Sequence, residues 1–231
     1  MTKHVQTVAP TVVFDLDGTL AETAPDLIAT LNVILDREGL PGIGYEEARD
    51  LIGAGARALI ERGLRMSAQD VPAARLDRMF HAYLEHYAEN ICEKTTLFPG
   101  VLDSLDGLAA RGYKLAVCTN KMEAHSLLLL DKLGIAERFS AICGRDTFPW
   151  FKPDPRHLTM TVERAGGAPA LCLLVGDSKT DVDTARNAGV PSVGVPFGYT
   201  DVPMTELRPD RLIGHFDALV EAVEELLPVR A

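Results

Sequence analysis

The sequence predicts an α/β protein, a doubly wound parallel sheet with a helical segment inserted after its first strand. Three observations carry that prediction. Short apolar runs alternate with stretches of helical periodicity from about residue 93 onward. The first apolar run is instead followed by helical pattern alone, over 21–92. Several apolar runs stop abruptly at carboxylates, hydroxyls or amides, at the strand ends where such sheets bind ligands.

The first run, residues 12–20, reads Val-Val-Phe-Asp-Leu-Asp-Gly-Thr-Leu. A buried strand accounts for Val12, Val13 and Phe14 but not for Asp15 and Asp17. Alternate residues of an extended chain share a face, so the two carboxylates could point the same way. Like charges that close repel unless a cation lies between them or one takes up a proton, which suggests a metal site or acid–base chemistry. The alternative is a solvated loop start with helix-capping aspartates.

In the insert, Leu27, Ile28, Leu31, Ile34 and Leu35 follow helical spacing, with Pro25 in the first turn and Gly39 as a stop. Ala48, Leu51, Ile52, Ala58 and Leu59 continue the pattern, interrupted by Gly53 and Gly55. Leu76, Met79, Phe80, Tyr83, Leu84 and Tyr87 form another stripe. Such stripes are core-forming. Pro41-Gly42 and 67–72 read as turns.

After the insert, strands are expected at 115–120, 141–144, 171–177, 191–196 and 211–214, with helices at 101–111, 123–133, 156–165, 181–188 and 216–227. Gly112, Gly134, Gly166 and Gly189 mark helix ends. The second strand ends in Thr119-Asn120-Lys121, where a hydroxyl and an amide can donate to an anion or serve ordinary turn chemistry. Lys152 lies in Trp150-Phe151-Lys152-Pro153-Asp154-Pro155, a stretch that cannot be helical and whose prolines could aim the ammonium group inward. Trp150 reads as packing. The run 173–181 ends in Gly176-Asp177-Ser178-Lys179-Thr180-Asp181. Asp177 stands where a metal ligand would, and Gly176 permits close backbone approach. Asp181 either caps the following helix or holds Lys152 or a metal-bound water.

Composition excludes several function classes. The 231 residues are 47% hydrophobic and 24% charged, with a formal net charge of −10 and no basic tract. That argues against nucleic-acid or anionic-membrane binding, and makes an anionic substrate depend on a metal or a few placed cations. No stretch is long enough to span a bilayer, and the N-terminus lacks an apolar signal core, so a cytoplasmic protein is expected. Cys92, Cys118, Cys143 and Cys172 are widely spaced and expected to be free thiols. The six histidines show no ligand clustering and are given no role.

The order Asp-Leu-Asp-Gly-Thr-Leu, strand-end Thr119, Lys152-Pro153 and Gly-Asp-Ser-x-x-Asp resembles the haloacid dehalogenase superfamily of phosphotransferases across essentially the whole chain. The resemblance implies a Rossmann-like haloacid dehalogenase core at 1–20 and 93–231, with 21–92 as a C1-type cap. Within the superfamily, 24–27, 53–57, 97–100 and 144–147 are similar to the bacterial phosphoglycolate phosphatases, although related sugar-phosphate phosphatases share much of this pattern. Glu22 departs from it, standing where an aspartate is common. The resemblance implies Asp15 as a nucleophile forming an aspartyl-phosphate and Asp17 as general acid and base. It implies Mg²⁺ held by Asp15, the Asp17 carbonyl and Asp177, with Ser178 and Asp181 behind them. Thr119, Asn120 and Lys152 would grip the phosphoryl group, Lys152 also offsetting the charge of Asp15. Arg57, in the Gly-rich turn of the cap, is either a fork for a substrate carboxylate or one half of a surface salt bridge.

The expected substrate is a small phosphorylated metabolite, and the oligomeric state, monomer or homodimer, is open. Asp17 speaks against a dehalogenase. The absence of lysine between Ala21 and Cys92 speaks against a Schiff-base phosphonate hydrolase. A β-phosphoglucomutase-like mutase and a catalytically silent binding member share the core motifs. A response-regulator receiver would be shorter and lack the insert.

Overall fold

The computed structural model describes residues 8–49, 51–66, 71–200 and 202–229. The turn expected at 67–72 lies largely outside them, as does His4. A six-stranded sheet forms the centre, in the order β5-β4-β1-β6-β7-β8, with every neighbouring pair parallel. Its strands are β1 (Thr11–Phe14), β4 (Lys114–Cys118), β5 (Ala141–Cys143), β6 (Cys172–Gly176), β7 (Ser192–Gly194) and β8 (Arg211–Leu212). The intervening helices are α5 (Val101–Ala110), α6 (Glu123–Lys132), α7 (Pro155–Arg164), α8 (Lys179–Ala188), α9 (Met204–Leu207) and α10 (Leu219–Leu226). Central β1, β4 and β6 are almost wholly buried and carry Val, Leu, Ala and Cys on both faces, as a sheet covered by helices on either side requires. Cys118, Cys143 and Cys172 are buried free thiols and Cys92 is a half-buried one.

The segment between β1 and β4 folds into α1 (Ala24–Arg37), α2 (Tyr45–Arg49), α3 (Ala56–Met66) and α4 (Ala73–Glu89). Pro25 sits in the first turn of α1, where its missing N–H costs nothing. The apolar faces of α1, α3 and α4 meet around Leu31, Ile60, Tyr83 and Tyr87, all buried. Gly53 and Gly55, both with positive φ, separate α2 from α3 and break the single stripe that hydrophobic spacing suggested there. Among the described residues no helix is long and apolar enough to cross a membrane.

The four-residue helix α9 and one strand pair escaped periodicity. A two-residue ribbon, β2 (Ala21–Glu22) antiparallel to β3 (Thr96–Leu97), closes the base of the insert. Strands so short carry no alternation to read. The buried Asp26 carboxylate fastens the same base by accepting from the N–H groups of Lys94 and Thr95 and from the Thr95 hydroxyl.

Candidate active site

Register brings the candidate residues together. Phe14 lies opposite Val117 on one side and Val175 on the other, so three chains leave the sheet side by side at Asp15, Thr119 and Asp177. The Asp15 N–H still donates to Val175 O at 2.9 Å. Past it the chain turns sharply, the Leu16 carbonyl accepting from the N–H groups of Thr19, Leu20 and Ala21. Gly18 makes the turn possible. Its φ is +80°, and a Cβ there would lie 2.4 Å from Asp177 Oδ2.

Asp15, Asp177 and Asp181, all buried, present carboxylate oxygens within 4.8 Å of one another. The Lys152 ammonium, itself buried, is inserted among them, 3.0 Å from Asp15 Oδ1 and 2.5 Å from Asp181 Oδ1. Asp181 performs both roles considered for it. Its Oδ1 holds Lys152, and its Oδ2 accepts from the N–H and hydroxyl of Ser178, the return half of a capping box on α8. Close approach depends on Gly176, whose Cβ would meet the Asp181 side chain at 2.3 Å. Asp177 accepts from the Thr19 hydroxyl at 2.8 Å and the Tyr199 N–H at 2.5 Å. Lys152 enters through a cis Lys152–Pro153 peptide, and its carbonyl accepts from Asn120 Nδ2 at 3.1 Å. Asn120 is therefore engaged in holding the lysine loop. Thr119 is buried, and its hydroxyl oxygen accepts from the Lys121 N–H.

Burial dominates the electrostatics. It pushes the Asp15 carboxyl up to about 6 despite the adjacent Lys152, whose attraction opposes the shift. It also pushes Asp177 well up, helped by the charges of Asp181 and Asp15. For Lys152 burial works the other way and is overridden by Asp15 and Asp181, so the ammonium stays charged. An all-oxygen, desolvated, electron-rich cluster with one internal cation suits a further small hard cation. A raised carboxyl contributes stability that is present below its unfolded value near 3.8 and lost as pH rises through about 6. For Asp15 this amounts to about 3 kcal/mol at most. A divalent cation should offset that loss, because it binds the ionised form. Millimolar MgCl₂ should therefore raise the melting temperature clearly at pH 7.5 and hardly at pH 5; equal shifts at both pH values would contradict this.

Asp17 leaves this cluster. Its carboxylate pairs with Lys121 Nζ at 2.7 Å, and that ammonium sits 4.6 Å from the centroid of the Tyr87 ring on α4. The side chains of Asp15 and Asp17 thus have different partners, because the chain turns at Leu16 instead of continuing as a strand. A cavity of about 460 Å³ opens beside Asp17, between the sheet's end and the inserted helices. Asn120, Lys121 and Arg145 line it from the sheet side, and Arg57, Tyr83 and Tyr87 from the helices. Arg57 is exposed, with Nη2 2.6 Å from Asp77 Oδ1 and Nε 3.7 Å from Glu61 Oε1.

Sequence reading missed three contributors. Lys121 was seen only as the residue ending a strand motif. Thr19, second in the Gly-Thr pair, is the hydroxyl on Asp177. Tyr199 joins Asp177 to the insert, its hydroxyl accepting from the N–H groups of Thr23 and Ala24 at the start of α1 and donating to Glu22. Only the Lys121 contact had a signal, a cation adjoining a strand-end motif; Tyr199 lies 177 residues from Glu22.

Comparison with known proteins decides the family. The model of the haloacid dehalogenase-like hydrolases matches residues 12–195, from the first buried strand through β7. The chain belongs to the haloacid dehalogenase-like hydrolase family. It is 47% identical to the phosphoglycolate phosphatase of Mesorhizobium japonicum over 219 residues, covering 94% of this chain and 96% of the relative. It is 44% identical to that of Agrobacterium fabrum, covering 95% and 94%. The crystal structure of a predicted phosphoglycolate phosphatase from Haemophilus somnus superposes with a TM-score of 0.86 at 30% identity, covering 94% of this chain and 99% of that one. This haloacid dehalogenase-like chain therefore shares its insert as well as its sheet with that crystal structure.

Proposed function

We propose that this enzyme hydrolyses a small phosphomonoester, 2-phosphoglycolate, through an aspartyl-phosphate on Asp15. The observation that carries the chemistry is the Lys152 ammonium 3.0 Å from the buried Asp15 carboxylate, with Asp177 alongside. The naming of close relatives as phosphoglycolate phosphatases supports the substrate.

In this reading Asp15, the Asp17 carbonyl and Asp177 would hold Mg²⁺. When bound, the ion neutralises charge on the transferring phosphoryl group. Asp15 attacks phosphorus; the bond to the leaving oxygen breaks, and Asp17 supplies that oxygen with a proton. For this step Asp17 must part from Lys121 and take up a proton from solvent, so that it enters the cycle protonated. Asp17 then takes a proton from the water that cleaves the acyl-phosphate, restoring Asp15. Lys152 and the Thr119 hydroxyl bind phosphoryl oxygens; Asn120 and Asp181 keep Lys152 in place, and Ser178 keeps Asp181 in place. Residues 21–92 act as a cap over the cavity, pivoting on the β2–β3 ribbon, and 1–20 with 93–231 form the catalytic core. Arg57, on the cap wall, reaches a leaving group only by giving up Asp77.

A phosphate-release assay with Mg²⁺ over small phosphoesters tests this. 2-Phosphoglycolate should rank first by kcat/KM. A strong preference for hexose phosphates or nucleotides would overturn the substrate assignment, and conversion of a sugar monophosphate to its isomer without free phosphate would favour a mutase.

A further inference from the structure

Three cations line the cavity: Arg57, Lys121 and Arg145. Two are already neutralised, Arg57 by Asp77 and Lys121 by Asp17. Among the described residues Arg145 has no carboxylate partner. Its guanidinium makes one hydrogen bond, Nη1 to the carbonyl of Ala54 in the Gly-rich turn before α3, at a long 3.3 Å. Its carbon Cζ lies 3.6 Å from the centroid of the Phe151 ring, so the plane is supported on an aromatic face. The side chain is half-buried, and that burial disfavours its charge.

The backbone fixes Arg145 relative to the reacting groups. It lies in the turn two residues past the end of β5, and its N–H donates to the Lys121 carbonyl at 2.8 Å. Lys121 holds Asp17, and Phe151 precedes Lys152. Gly144 beside it allows no side chain, since a Cβ there would lie 2.2 Å from Glu123 N. The result is a planar donor fork in the turn after β5, in the same cavity as the proposed acid. In a chain of net charge −10, a cavity cation with no carboxylate partner among the described residues is placed to meet an incoming anion.

We propose that Arg145 recognises the carboxylate of the substrate, through the bidentate geometry its guanidinium offers, while the phosphoryl end lies at Asp15. This rests on the phosphoglycolate reading above and assigns its selectivity to a core residue in place of the cap arginine.

The test compares kcat/KM for 2-phosphoglycolate with that for 2-hydroxyethyl phosphate, in which a hydroxymethyl group replaces the carboxylate, using Mg²⁺-loaded enzyme. In Arg145→Met the ratio should fall about 30-fold or more, chiefly through KM of phosphoglycolate. Arg145→Gln, which keeps a stem against Phe151, should show the same loss, and Arg145→Lys should keep part of the ratio through charge alone. Arg57→Ala should keep the ratio within about threefold, because Asp77 already neutralises that arginine. An unchanged ratio in both Met and Gln variants overturns the proposal, even if both rates fall together as a packing defect would make them. Loss of the ratio in Arg57→Ala alone overturns it as well. A wild-type enzyme without preference for the carboxylate ester removes the phosphoglycolate reading and this proposal together, whereas a wild-type preference that survives in the Arg145 variants removes this proposal only.

Discussion

Asp15→Asn should abolish phosphoester turnover, by about 10⁴-fold or more in kcat, while leaving a folded protein. An amide is a poor nucleophile and cannot form the acyl-phosphate, so the variant loses a covalent step and not a contribution to binding. The loss should appear with every phosphoester, independent of the leaving group, which separates it from changes in the cavity wall. The fold should survive because Lys152 keeps Asp181 as a partner at 2.5 Å, and because the change removes one of the three clustered carboxylates. Radiolabelled phosphoester quenched in acid should leave label on the wild-type chain and none on the variant. Residual turnover near the wild-type level, or label on Asp15→Asn, would remove Asp15 from the nucleophile's role.

Lys152→Met should destabilise the protein more than any other single change at the site. Methionine fills most of the lysine's volume, so packing is largely kept and the loss is electrostatic. Asp15 and Asp181, both buried, are left without their shared cation. Breaking a buried pair by removing one partner costs about 3–5 kcal/mol. For a chain of this size that is a fall in melting temperature of roughly 10 °C. The pH dependence has a definite sign. Without the ammonium, the Asp15 carboxyl shifts further up, so the folded variant holds a proton that the unfolded chain releases. Its stability should then be greater at pH 5 than at pH 7, and lost as pH rises through the raised Asp15 value. Adding Asp181→Asn in the same chain should return part of the loss at pH 7. A Lys152→Met protein that melts like the wild type at pH 7.5 without Mg²⁺ would show that Lys152 does not balance these charges.

Most of the sheet was legible because its strands announce themselves locally. β4, β5 and β6 fall within a residue or two of the apolar runs at 115–120, 141–144 and 171–177, and α5–α8 match the intervening helical patterns closely. The strand-end residues Asp15, Thr119 and Asp177 were legible for a related reason. A polar group that ends a buried run has no packing role, so its chemistry stands out. The β2–β3 ribbon was not legible, since two residues carry no periodicity, and neither was the break between α2 and α3, which depends on two positive-φ glycines.

Two arginines show where local reading stops. Arg57 follows a Gly-rich turn, the local context of a binding residue, yet its guanidinium meets Asp77 on the next helix. Arg145 had the weaker sequence context, but it is the cavity cation without a carboxylate among the described residues. Nothing within a few residues of either distinguishes a paired cation from an unpaired one.

By itself the sequence determined the class of fold, the insertion point of the helices and the side chains that would stand at the sheet's carboxyl edge. These follow from periodicity and from the type of residue closing each strand, both of which act over a handful of neighbours. Only the tertiary structure decided how the charges are shared: Lys121 with Asp17 across 104 residues, Lys152 with Asp181 across 29, and Tyr199 between Asp177 and the base of the insert. Coulomb energy in a buried site varies steeply over an ångström or two, and such separations are set by the packing of the whole sheet.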